Sequence, residues 1–121
     1  NCLKIFDEIL KNSKPNKKKM LKLANSGFIT ATDLADHLVK NHSMSFRQAY
    51  QKTAAIVNLA EKKNKNLNEF TLEELKKIVP KLTNDVLKVF DLRNSINSKK
   101  SYGGTSFDNI KKMIIKYKKQ K

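Results

Sequence analysis

The stretch TATDLADHLVKN, residues 30–41, decides the fold of this chain. Its apolar residues recur at the spacing that places them on one face of an α-helix, and they are Ala31, Leu34, Ala35, Leu38 and Val39. Thr30 stands where a capping residue is expected, and Asp33 follows three residues later in the first turn. The pattern predicts an amphipathic helix with one face in a core.

The same helical periodicity continues on both sides of this stretch. Ser45 and Gln48 form a capping-box sequence ahead of a helix that should reach about Lys63, and Thr71 with Glu74 forms another. Strict alternation of apolar and polar residues never lasts long enough to predict a strand. We therefore predict an all-α fold of five to seven helices without a sheet.

Several boundaries follow from turn and capping residues. A short helix is predicted from about residue 16 to residue 25, with Gly27 as a left-handed stop. Thr83 is expected to cap another short helix, which an irregular segment follows over residues 91–101. The last helix should carry an apolar stripe of Phe107, Ile110, Ile114 and Tyr117.

The beginning of the chain predicts an amphipathic helix without a cap. Its apolar stripe is Leu3, Phe6, Ile9 and Leu10. Pro15 disfavours helical geometry in the residue before it and so ends this helix. A helix that starts at the first residue suggests a piece of a longer protein. In isolation the stripe would be uncovered, and we predict that the 121-residue chain self-associates through it.

The net charge of +15 is the strongest compositional feature, with 26 Lys and Arg against 11 Asp and Glu. Nucleic-acid sites usually exploit the planar fork of arginine, but Arg47 and Arg93 are the only arginines. The joint excess of Lys, Asn and Ile is typical of A/T-rich codons. We therefore do not expect a nucleic-acid partner, although a lysine-rich helical module that binds nucleic acid or protein stays as the alternative.

Cysteine use and hydropathy predict the compartment. Cys2 is the only cysteine, which excludes an internal disulfide and a cysteine-based zinc site and fits a reducing environment. Hydrophobic residues make up 39% of the chain, and no run approaches the roughly 20 apolar residues of a membrane span. These features predict a cytoplasmic protein without a membrane partner.

The two adjacent glycines in KSYGGTSFDNI, residues 100–110, raise the question of a phosphate loop. Phosphate and dinucleotide loops need a different glycine spacing and a preceding strand. We interpret the stretch as a structural turn in which Thr105 caps the last helix with Asp108 as its partner. The predicted structural loop consists of Ser101, Tyr102, Gly103, Gly104 and Thr105.

No catalytic or metal constellation stands out. His37 and His42 are five residues apart, whereas a metal pair on a helix needs i, i+4 spacing and further ligands. We expect these histidines to be solvent-facing or partly packed. Asp33 and Asp36 could pair, but stabilisation by the helix dipole explains Asp33 better. The residues alone predict no catalytic group, no cofactor and no metal.

Three stretches, read together, resemble the C-terminal region of the argininosuccinate lyases. They are GFITATDLADHLVKN at 27–41, SFRQAYQKTAAIVNLAEKK at 45–63 and SYGGTSFDNIKKMI at 101–114. The resemblance covers about residues 20–115. Residues 1–19 are similar more weakly, where they look like the close of a core-bundle helix.

The resemblance implies a parent enzyme that reversibly splits argininosuccinate into arginine and fumarate in arginine biosynthesis. It also implies a cytoplasmic homotetramer that needs no metal or organic cofactor. The catalytic serine loop of the family has no counterpart in these 121 residues. We therefore expect a non-catalytic piece, with 1–15 as the end of a core-bundle helix and connection and 16–121 as the C-terminal helical domain. Its partners would be the rest of the lyase chain and its homotetramer.

A secondary role near the active site of the parent enzyme is left open for two features. These are Arg47 and the loop that contains Gly103 and Gly104. The resemblance does not make either of them a ligand of the substrate.

Overall fold

The computed structural model describes residues 2–119, which form eight α-helices, one short 3-10 helix and no β-strand. The helices are α1 (Cys2–Asn12), α2 (Lys17–Asn25), α3 (Ala31–His42), α4 (Phe46–Lys63), α5 (Leu72–Lys76), α6 (Val86–Val89), α7 (Leu92–Ser98) and α8 (Phe107–Lys118). The 3-10 helix, Leu67–Glu69, lies between α4 and α5. The predicted all-α class is confirmed for the residues described.

The predicted count of five to seven helices is too low because α7 was not foreseen. Residues 91–101 were expected to be irregular, yet α7 occupies most of this segment. Its apolar residues are Leu92 and Ile96, too few to show a periodicity. A local cap starts the helix instead, since the Asp91 carboxylate accepts a hydrogen bond from the Arg93 amide at 3.3 Å.

The core is built on the packing of α3 against α4, the most extensive contact between two helices of the fold. Leu34 and Leu38 of α3 are fully buried, as the periodicity of residues 30–41 predicted. From α4, Ala49, Ile56 and Ala60 are fully buried in the same cluster. Thr53 of α4 is buried as well, with 6% exposed, and the other residues of α4 are partly or fully exposed.

The second half of the core comes from the segments that follow α4. Its buried residues are Leu67, Phe70, Leu75, Val79, Leu82, Val86 and Phe90. Through them α6 packs against α3, and α7 in turn packs against α6. The core therefore lies between residues 34 and 90, whereas α1, α2 and α8 contribute no buried residue.

Of the caps predicted at Thr30, Ser45 and Thr71, the last two are confirmed and the first is wrong. Ser45 Oγ accepts from the Gln48 amide at 3.3 Å, and the Gln48 side chain accepts from the Ser45 amide at 3.2 Å. Thr71 and Glu74 make the same reciprocal pair at 3.3 and 3.2 Å. Thr30 makes no capping hydrogen bond, because its φ of −88° and ψ of 5° lie outside the extended region that a cap needs.

Of the boundary predictions at Gly27 and Thr83, the first is confirmed and the second is wrong. Gly27 has a φ of 85° and is the left-handed stop predicted after α2. Thr83 does not cap α6, because Asp85 takes the position before its first residue. The Thr83 hydroxyl donates instead to the Asp85 carboxylate.

Glu74 joins the second half of the core to α4. Its Oε1 lies 2.5 Å from Lys63 Nζ and 3.6 Å from Lys65 Nζ. The hydrogen bond from Lys63, aided by that from the Thr71 amide, lowers the pKa of Glu74 from 4.5 to about 2. The carboxylate therefore stays charged in the folded chain at pH values where it is protonated in the unfolded chain.

We expect Glu74 to add to acid sensitivity. Because its pKa is lower in the folded state, its contribution to the free energy of unfolding is complete above about pH 4.5 and disappears as the pH falls towards about 2. Between about pH 5 and about pH 2, urea unfolding should show a smaller loss of unfolding free energy for Glu74→Gln than for the wild type. The neighbouring Glu73→Gln is the control. An equal dependence of the unfolding free energy on pH in all three proteins would contradict this role.

Candidate functional site

The predicted loop between α7 and α8 is a tight turn that fixes where α8 begins. Gly103 has a φ of 77°, in the left-handed region that favours glycine. Gly104 is needed for a different reason: a Cβ there would overlap the Lys99 carbonyl oxygen and lie 2.9 Å from that of Ser101. The Gly104 amide closes the turn by donating to Ser101 O at 2.8 Å. We call residues 99–106 the joint.

The cap of α8 is one residue later than predicted. Ser106, and not Thr105, precedes the helix, and its Oγ accepts from the Asn109 amide at 3.4 Å. Thr105 is exposed, whereas only 4% of Ser106 is exposed. The Ser106 amide also donates to Lys99 O at 3.2 Å, so the same residue closes the joint and opens the helix.

Two backbone amides of the joint are used in hydrogen bonds within the joint itself. Anion-binding loops offer free backbone amides to the ligand. Here the amides of Gly104 and Ser106 donate to carbonyl oxygens of the joint itself. Asn109 Nδ2 donates to the Ser101 carbonyl at 2.8 Å and holds α8 to the turn. These contacts connect the joint to the first turn of α8.

A polar tether that the sequence did not reveal connects the joint to the core. Asp33, at the start of α3, accepts from Ser95 Oγ at 2.5 Å and forms an ion pair with Lys99. The side chain of Asp33 is 14% exposed, so both contacts are partly shielded from water. Sequence reasoning explained Asp33 only by local roles in the first turns of α3, because its partners lie 62 and 66 residues away.

We expect Gly104→Ala to loosen α8 while leaving the core folded. The added methyl group must displace the backbone of the joint, at a cost of about 1–3 kcal/mol in the free energy of unfolding. Gly103→Asn is the control, since nothing lies within 4 Å of a Cβ at Gly103 and Asn tolerates a positive φ. Urea unfolding and helical circular dichroism measure both variants, and equal losses would contradict the argument.

The two histidines pack against each other at the end of α3. Their ring centroids are 5.6 Å apart, and the His37 side chain is 10% exposed. Asn41 Nδ2 lies 2.9 Å from His37 Nδ1, so Nδ1 accepts and a neutral His37 carries its proton on Nε2. Nε2 lies 3.1 Å from Asp85 Oδ2, out of line for a hydrogen bond. The partly packed alternative is therefore the correct one.

Burial lowers the pKa of His37 below its ordinary 6.5, and the charge of Asp85 opposes this shift less strongly than burial drives it. His42 lowers the pKa of His37 further. A neutral ring is favoured in the folded chain, and its role here is packing.

The same shift predicts a loss of stability in mild acid. Because the unfolded chain binds a proton at His37 more readily, the free energy of unfolding should fall as the pH drops below about 6.5. His37→Gln should lack this part of the pH dependence, and His42→Gln should keep most of it. Urea unfolding between pH 8 and 5, a window of roughly 1.5 units on either side of 6.5, tests the difference. A His37→Gln profile identical to that of the wild type would contradict it.

Two apolar faces lie outside the core. The α1 face consists of Leu3, Phe6, Ile9 and Leu10, which are 55–85% exposed. The α8 face consists of Phe107, Ile110, Met113, Ile114 and Tyr117, which are 40–60% exposed. Monomeric proteins rarely leave such contiguous patches in water. Both faces are therefore candidate interaction surfaces.

The remaining site predictions can be placed on the fold. Arg47 is exposed in the first turn of α4, away from the joint in sequence. Within residues 2–119, no three His, Cys, Asp or Glu side chains are grouped as metal ligands. No helix in the same range has the length and apolar character needed to cross a membrane.

The fold and these faces define a basic, all-helical domain with its core in the middle of the chain and amphipathic helices at both ends. A family model described as "Argininosuccinate lyase C-terminal" matches residues 28–97, the segment that holds this core. The chain belongs to this argininosuccinate lyase C-terminal family.

Curated relatives extend the similarity beyond the core. The argininosuccinate lyase of Pelagibacter ubique is 72% identical over 119 residues, which are 98% of this chain and 26% of the relative. Those of Ehrlichia chaffeensis and a Nitratiruptor species are 45% and 46% identical over 90% and 93% of this chain. The chain spans about a quarter of the length of each relative.

Proposed function

We propose that this chain is the C-terminal region of an argininosuccinate lyase, which reversibly cleaves argininosuccinate into arginine and fumarate in arginine biosynthesis. The match of the family model to residues 28–97 carries this proposal. The relatives, each named as that lyase, support it along almost the whole chain. In the proposal, the complete enzyme works in the cytoplasm as a homotetramer.

Within that enzyme, the 121 residues have a structural role and no catalytic residue. The polar contacts described above support this view, because each has a structural use. Asp33 ties α3 to α7 and the joint, Glu74 ties α5 to α4, and Ser106 caps α8. A catalytic group would instead be held with its reactive atom open to a substrate.

In the proposal, α1 is the end of a helix of the catalytic bundle. Residues 1–15 form that helix end and its connection, and residues 16–121 form the C-terminal domain; Asn1, Gln120 and Lys121 lie outside the described residues. The breadth of the α1 face supports this assignment. Ile5 and Cys2 widen it, and both are exposed, so more than one neighbouring helix is needed to cover it.

The first test uses the complete gene from which this chain derives. We expect its product to form fumarate from argininosuccinate, whereas the 121-residue chain should form none. Phe6→Asp in the complete protein should cost at least about 3 kcal/mol in unfolding free energy, because it places a charge in a buried apolar contact. Lys4→Asp, on the polar side of α1, is the control.

The isolated chain offers a second readout of the same face. Light scattering at rising concentration should show self-association through Leu3, Phe6, Ile9 and Leu10, and Phe6→Asp should reduce it. A complete gene product without lyase activity would contradict the proposed enzyme. Equal stability of the Phe6→Asp and Lys4→Asp proteins would contradict the role of α1.

A further inference from the structure

The α8 face is an amphipathic surface that the chain's own core does not cover. None of the twelve residues of α8 is buried. A helix of this length is only marginally stable in water, so it depends on packing. Covering large apolar side chains removes apolar surface from water, which is favourable. A partner that covers the α8 face would therefore both stabilise the helix and gain binding energy.

The joint presents this face in a defined direction. Asn109 holds the first turn of α8 to Ser101, and Ser106 bonds to Lys99. Lys99 is in turn paired with Asp33 of α3. A surface that is fixed before binding loses less conformational entropy when a partner covers it.

Charge defines the chemistry of the partner. α8 carries four lysines and a single aspartate. On one side of the face, a groove is lined by Lys112 and Lys116 together with Met113 and Tyr117. On the other side, Lys118 lines a groove with Ile110 and Ile114. A matching surface is therefore an apolar strip with carboxylates along its edges.

We propose that the α8 face docks onto such a strip in the part of the lyase polypeptide that lies outside these 121 residues. This inference rests on the proposed function, since only a complete lyase supplies the strip. The relatives support it, because about three quarters of their length lies outside the matched region. Docking through α8 is additional to the contact of α1.

A second copy of α8 fits this surface poorly. Two copies of the face packed on each other would bring their lysine-lined edges together. Like charges placed opposite each other across an interface destabilise it. An anionic membrane surface offers negative charge, and its binding to α8 is an outcome that the experiment distinguishes.

Ile114 and Ile115 make a matched pair for the test. They are neighbours in the same helix and are 50% and 55% exposed. Ile114 belongs to the α8 face and lines its groove, while Ile115 lies off the groove. The same substitution therefore has the same intrinsic effect on the helix at both positions but removes a contact at only one.

The experiment measures amide hydrogen exchange in the complete lyase, read separately for α1 and α8. We expect Ile114→Asp to speed the exchange of α8 amides by about tenfold or more, and Ile115→Asp to leave it near the wild-type rate. The alanine variants should show the same difference with smaller effects: Ile114→Ala should speed the exchange of α8 amides more than Ile115→Ala. These variants are available if the aspartate proteins do not fold.

Two results would overturn the docking of α8. One is equal α8 exchange in the Ile114 and Ile115 variants. The other is an α8 helix that becomes protected only when vesicles containing phosphatidylserine are added, which would assign the face to a membrane. If α1 is protected in either case, the proposed function stands while this inference fails. If α1 also exchanges freely, the proposed place of the chain in the lyase fails too.

Discussion

The apolar packing between α3 and α4 is the interaction on which the rest of this structure depends. Leu34, Leu38 and Ile56 are fully buried there, and the short segments after α4 complete the cluster. These segments, with short helices and turns, gain their order from the surface that α3 and α4 provide. The core ends at Phe90, so α8 depends on other contacts for its position.

Those other contacts are polar and lead from α3 through the joint to the start of α8. Asp33 accepts a hydrogen bond from Ser95 and forms an ion pair with Lys99. The carbonyl of Lys99 accepts a hydrogen bond from the amide of Ser106. Each contact is modest alone, since exposed ion pairs contribute little. Partial burial of Asp33 and the lack of room for a side chain at Gly104 make the connection specific. The helix α8, which lies outside the core, is thereby oriented by contacts that begin at Asp33 of α3.

Sequence patterns predicted the features whose causes are local. The capping box at Ser45 lies within one helical turn, so its residues alone indicate it. Thr105 and Ser106 are both good capping residues, and only the backbone conformation decides between them. The contact between Asp33 and Ser95 joins residues 62 apart, and no spacing rule relates them. The helix that carries Ser95 was missed for a different reason, since Leu92 and Ile96 are too few apolar residues to show a helical periodicity.

The distance along the chain between contacting residues also gives the fold an order in time. α3 and α4 are separated by three residues, and such local contacts form early because little loop entropy is lost. The pair of Asp33 and Lys99 spans 66 residues, and we expect it to form after the intervening chain has folded. We therefore expect the orientation of α8 to be acquired late in folding. During that interval its apolar face is open to aggregation, a hazard typical of incompletely folded chains.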